Sequence, residues 1–243
     1  MSRWQRLRGR LPRNLAYVVP KTHEETPAMR RRRRRVVGGT LVVGSALLGR
    51  SLSTKPGSRE FYVETLSLAG VWTAGGLLSG PLHLGWIEGQ DTRLRRPLVT
   101  PVATGAGAFC LFYAATLVSR RIPLLDRAVS RVLLFAEEGQ EGLVLATTLA
   151  NGLAEEVFFR GALYSASNSH PVIVSTAVYS VVTASTRNPA LVLAAGVMGA
   201  LFGLQRRATG GLQASALTHV AWSALMVRFL PPLFRRAGGA PRS

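Results

Sequence analysis

Thirteen uncharged residues, 142–154, run directly into Glu155 and Glu156, followed by Val157-Phe158-Phe159-Arg160-Gly161. The stretch 142–164 has the length and apolar character of one membrane-crossing helix. Two adjacent carboxylates and a guanidinium inside such a helix are costly, and charge at that depth tends to be retained for function. At about 1.5 Å per residue, Glu155 lies roughly 20 Å into the span, about two-thirds of the way across a 30 Å core. Glu156 and Arg160 are spaced i, i+4 and face each other on one helix side. A bridge between them leaves Glu155 without a cation, the arrangement expected of a general base for water. The plainer alternative is a helix end dipping into the head groups, with both acids solvated.

The rest of the chain agrees with a membrane location. Apolar residues make up 47% of the 243, charged residues only 17%, and none of the twelve acids follows Glu156. Charges cluster between long uncharged runs, which indicates an all-α polytopic bundle of about seven to eight transmembrane helices. The expected spans are 36–49 (to about 54 if Arg50 snorkels), 65–87, 97–119, 142–164, 171–186, 189–205 and 208–229. An amphipathic stretch, 120–141, is expected to lie along the interface. Residues 1–35 read as a basic, unpatterned cytoplasmic tail, and 36–243 as the membrane domain. Gly75, Gly76 and the Gly80-Pro81 pair predict a close helix contact and a kink, and Gly196, Gly199 and Gly203 predict tight packing. Glu64 is expected to cap the second span. The single cysteine, Cys110, can form neither an internal disulfide nor a metal site and reads as packing.

The net charge of +18 does not indicate a nucleic-acid partner, because the basic residues sit at the ends of apolar runs. The six arginines from Arg30 to Arg35 form a cytoplasmic anchor that would attract anionic lipid. An inside amino terminus places the 88–96 loop, Arg160 and the Arg206-Arg207 turn in the cytoplasm of a multi-pass cell-membrane protein. The same count sends Arg235 and Arg236 outside, against the rule.

His219 lies eleven residues into the last expected span, and Ser223 follows one turn later on the same face. Histidine at that depth usually faces an interior cavity. One helix–helix hydrogen bond on a neutral ring is the alternative. Antiparallel spans bring Glu155 and His219 to similar depth, where they could share a cavity. His83 reads as interfacial and His170 as a solvated loop residue.

Glu155-Glu156-Val-Phe-Phe-Arg160-Gly161 resembles the Glu-Glu-x-x-x-Arg motif of the CPBP family, the CAAX-protease and bacteriocin-processing intramembrane proteases. The resemblance covers about residues 140–232 and includes the glycine-rich span, the Arg-x-x-Gly-Gly turn after it and His219-x-x-x-Ser223. It implies a helical bundle that hydrolyses a peptide bond of a membrane-associated peptide or protein. Glu155 would then activate water, Arg160 would fix Glu156, and His219 would bind the oxyanion or a metal. Two positions depart from the family pattern. Tyr179 and Thr183 stand where Phe-x-x-x-His is expected, and Ser223 stands where Asn or Asp closes the last motif. Threonine is a poor zinc ligand, so a metal-free, glutamate-driven reaction is favoured over a zinc one. A catalytically degenerate scaffold that binds membrane peptides, and a small transporter subunit with Glu155 and His219 on a proton path, are the alternative functions.

Overall fold

The computed structural model of the chain describes residues 25–88 and 93–234, together with Leu15. Among the described residues there are eight helices, an all-α membrane-type bundle: α1 (Pro27–Ser51), α2 (Arg59–Ser79), α3 (Val99–Ser119), α4 (Pro123–Glu138), α5 (Glu141–Ala166), α6 (Pro171–Thr183), α7 (Pro189–Thr209) and α8 (Gln213–Phe229). A two-residue hairpin, β1 (Ile87–Glu88) and β2 (Leu94–Arg95), lies between α2 and α3. Three helices, α3, α5 and α7, are by themselves long and apolar enough to cross a membrane. The arginines of α1 lower its hydropathy, and α6 and α8 are shorter.

Local sequence sets the helix starts. Proline occupies the first turn of α1, α4, α6 and α7, where its missing N–H costs nothing. Hydroxyl and amide caps take up the free donors: Thr26 accepts from the Met29 amide, Ser58 from Phe61, and Asn188 from Ala190 and Leu191. Gly210, with φ 70°, ends α7 in the left-handed conformation that glycine tolerates.

Several expectations shift. The basic segment is not unpatterned up to residue 35, because α1 begins at Pro27 and carries all six arginines. Five of these are exposed, but Arg33 is buried and donates to Ser79 Oγ at 3.1 Å and the Pro81 carbonyl at 3.2 Å. It also pairs with Glu25. The second helix does not reach residue 87. It stops at Ser79, since Gly80 adopts φ 137° and the chain continues extended. Glu64 is not a cap: Ser58 holds that position, and Glu64 pairs with Arg50 at 2.7 Å. Arg206 is not in a turn but in the last turn of α7, buried. Cys110 is exposed on α3 rather than packed. Arg235, Arg236 and most of 1–24 lie outside the described residues. The amphipathic stretch is a helix, α4, with Ala128, Leu133 and Phe135 buried and Leu124 and Leu134 exposed.

The core joins α1, α2, α5 and α6. Trp72, fully buried, packs against Phe158 at 4.7 Å and Phe159 at 5.1 Å between ring centroids. A side chain at Gly44 would collide with the Trp72 ring, and one at Gly76 would meet Val157. Such close backbone approach is the main source of helix adhesion where lipid removes the hydrophobic drive. The outer surface is correspondingly apolar, with Val99 82%, Val42 73% and Val181 73% exposed.

Candidate active site

Four helices converge on the acidic pair. Glu155 is the last residue of the regular part of α5, and Glu156 opens a wide-turn π-helical segment that runs to Leu163. Such widened turns are frequent at functional sites. The two side chains diverge because successive helix residues point about 100° apart.

Glu156 is fully buried and its Oε1 takes two partners: the Arg160 guanidinium at 3.3 Å and His219 Nδ1 at 3.2 Å. An ionised carboxylate can only accept, so Nδ1 carries the proton and Nε2 is the free ring position. Ser215, wholly buried beside Glu156, gives its hydroxyl to the Leu212 carbonyl at 3.0 Å. Rotating that hydroxyl would supply a donor for the Glu156 carboxylate. Arg160 is also fully buried. It donates from Nη2 to the Gly199 carbonyl at 3.3 Å and lies 4.8 Å from the Tyr179 ring and 5.1 Å from the Phe202 ring. Its own carbonyl accepts from Arg206 Nε at 2.8 Å. Phe202 in turn stacks on the His219 imidazole, with centroids 4.8 Å apart. Arg160 and His219 are thus fixed around Glu156 from α7 as well as α5.

Glu155 is buried and makes no ion pair among the described residues. Each oxygen receives one neutral donor: Oε1 from the Asn151 amide at 2.9 Å and Oε2 from the Tyr179 hydroxyl at 2.7 Å. Both oxygens keep a further lone pair. Arg160 and His219 therefore both join Glu156, and neither bonds Glu155.

The weaker positions separate. Tyr179 bonds Glu155. Thr183, one turn further along α6, is buried but turns its hydroxyl back onto the Tyr179 carbonyl at 2.8 Å. Ser223 is buried on the His219 face of α8 and makes no hydrogen bond to either carboxylate. His170 is exposed at the start of α6, and His83 lies exposed in the extended segment after α2.

Two residues were missed by sequence reasoning. Asn151 is hidden among thirteen uncharged residues, although its i, i+4 spacing to Glu155 is readable. Gly152 lies one turn before Glu156, and a Cβ there would lie 3.3 Å from Cδ2 and Nε2 of His219. Its bare backbone is the seat of the imidazole.

Glu156 commits Oε1 to Arg160 and His219, and His219 commits Nδ1 to Glu156. Glu155, His219 Nε2 and Glu156 Oε2 remain open. Among the described residues no group of three or more His, Cys, Asp or Glu side chains is arranged to hold a metal ion.

Residues 139–225 match the family profile described as type II CAAX prenyl endopeptidase Rce1-like. The match runs from the start of α5 into α8 and contains Glu155, Glu156, Arg160, Tyr179 and His219. It bears out the resemblance to the CPBP/CAAX-protease family over this segment and supports a protease at the family level. No curated relative and no solved structure matches the chain.

Proposed function

We propose that the chain is an intramembrane endopeptidase of the CPBP/CAAX-protease type, with Glu155 as general base for the attacking water. The observation that carries this reading is the contrast between the two glutamates. Glu156 is occupied by Arg160 and His219, whereas Glu155 is held by two neutral donors and keeps lone pairs for water.

In the reaction, water on Glu155 loses a proton to the carboxylate as its oxygen bonds the scissile carbonyl carbon. The tetrahedral adduct collapses by breaking the C–N bond, and Glu155 returns the proton to the departing nitrogen. Tyr179 and Asn151 keep the carboxylate aimed. His219 Nε2, when protonated, donates to the oxyanion while Glu156 balances the imidazolium. Arg160 holds Glu156 in place. The substrate is a membrane-associated peptide or protein. The arginines of α1, the 93–96 segment and α7 put the near end of the site in the cytoplasm by the positive-inside rule. His219 is six residues from the start of α8, about 9 Å from that end.

A catalytically silent scaffold is the second reading, favoured by Thr183, whose hydroxyl is spent on its own helix. Digestion of a membrane-peptide library by reconstituted protein in ¹⁸O-labelled water separates the two. The protease reading expects one ¹⁸O in each new carboxyl terminus, and a fall of roughly 10²- to 10⁴-fold with Glu155→Gln. Peptide binding without cleavage in both proteins would favour the scaffold.

A further inference from the structure

At the end of the bundle away from the arginine run, the end of α1 and the turns that follow α1 and α6 enclose an open cavity of about 660 Å³. Arg50, Lys55 and Arg187 line it, with Glu60 as the acid among them. Arg50 is engaged by Glu64 through Nε at 3.2 Å and Nη2 at 2.7 Å. Lys55 and Arg187 have no ion-pair partner among the described residues. The lining also includes Ser185, whose Oγ is buried without a hydrogen-bond partner. A Cβ at Gly49 would lie 3.1 Å from the Ser185 carbonyl, so α1 and the turn after α6 are in close contact at the base of the cavity.

Two observations fix the depth and the flank. Asn188, next to Arg187, donates to the Ala128 carbonyl of the amphipathic helix α4 at 2.8 Å. The cavity therefore sits level with α4, whose amphipathic character suits the interface where lipid phosphates are found. On the membrane side of it, α1 exposes Val42 and Val43, and α6 exposes Val181, one turn before Ser185. Cations and a free hydroxyl thus stand above apolar surface, the layout of a phospholipid rather than of a soluble phosphate.

We propose that this cavity binds the phosphate-bearing head group of an anionic membrane phospholipid, with Lys55 and Arg187 as the charge contacts and Ser185 Oγ as a hydroxyl donor. Such a lipid would clamp the ends of α1 and α6, and α6 carries Tyr179.

Native mass spectrometry of the delipidated full chain in detergent tests it, with phosphatidylglycerol, phosphatidylcholine or inorganic phosphate as probe. Wild type should retain phosphatidylglycerol over phosphatidylcholine. Lys55→Gln with Arg187→Gln should lower that retention by about fivefold per cation, roughly 30-fold in all. Arg34→Gln with Arg35→Gln, in the arginine run at the other end of the bundle, should lower it less than the Lys55/Arg187 pair does. Equal phosphatidylglycerol retention by wild type and the Lys55/Arg187 variant overturns the proposal. So does a loss that follows only the Arg34/Arg35 variant, or an inorganic phosphate adduct with no preference for phosphatidylglycerol. Should the double variant fail to fold, each single substitution is measured, and no fall in either also overturns it.

Discussion

At the residue scale, helix rotation turns Glu155 toward α6 and Glu156 toward α8, so one dipeptide faces two unlike surroundings. Tyr179→Phe and Asn151→Leu each remove one hydrogen bond to Glu155. Bonds to charged groups are worth about 1.5–3 kcal/mol, so each change should lower peptide hydrolysis roughly tenfold or more. Turnover measured beside a thermal unfolding curve checks this: an unchanged rate in a folded variant would remove that residue from the site. The i, i+4 spacing of Glu156 and Arg160 was readable because a helix converts spacing directly into contact. The partner of His219 was not, because it depends on which faces of α5 and α8 meet. Nor did the sequence single out Arg33. Six identical side chains give no sign of which one points inward, and only its register with the buried Val37 and Gly44 does so.

At the element scale, the helix positions followed from hydropathy, while the ends of α2 and α7 did not. The apolar residues after Gly80 hid the break, since φ 137° is a property of the backbone and not of hydropathy. The widened turn at Glu156–Leu163 was equally silent, because a π-turn has no apolar signature of its own. That segment is held against α2 at Gly76, where an added Cβ would meet the Val157 side chain and lie 3.0 Å from its carbonyl oxygen. Gly76→Ala should therefore destabilise by about 1–3 kcal/mol. Chemical unfolding in mixed micelles would measure it, and no loss would mean that α2 and the π segment can separate freely.

For the whole molecule, Arg33 joins the start of α1 to the end of α2, while its neighbours face outward. Arg33→Ala should cost about 1–3 kcal/mol by leaving buried polar groups unmade, whereas Arg34→Ala should stay within about 0.5 kcal/mol. Removing residues 1–29 should also destabilise, because it deletes Glu25 and the Thr26 cap. Thermal unfolding of the three proteins side by side checks both statements. In a Cys110→Ser background, Ser169→Cys should label from the cytoplasm and Lys55→Cys from outside, as the arginine distribution requires. The reverse pattern would invert the bundle. The roles of the two glutamates meet their most direct test in one reconstituted preparation of Glu155→Gln and of Glu156→Gln, read for unfolding midpoint and peptide hydrolysis together. Glu155→Gln should keep the wild-type midpoint and lose hydrolysis by roughly 10²- to 10⁴-fold. Glu156→Gln should lose about 3–5 kcal/mol of stability by stranding the buried Arg160. Hydrolysis at the wild-type rate by Glu155→Gln, or a Glu156→Gln protein as stable as wild type, would contradict the assignment of base to one and structural anchor to the other.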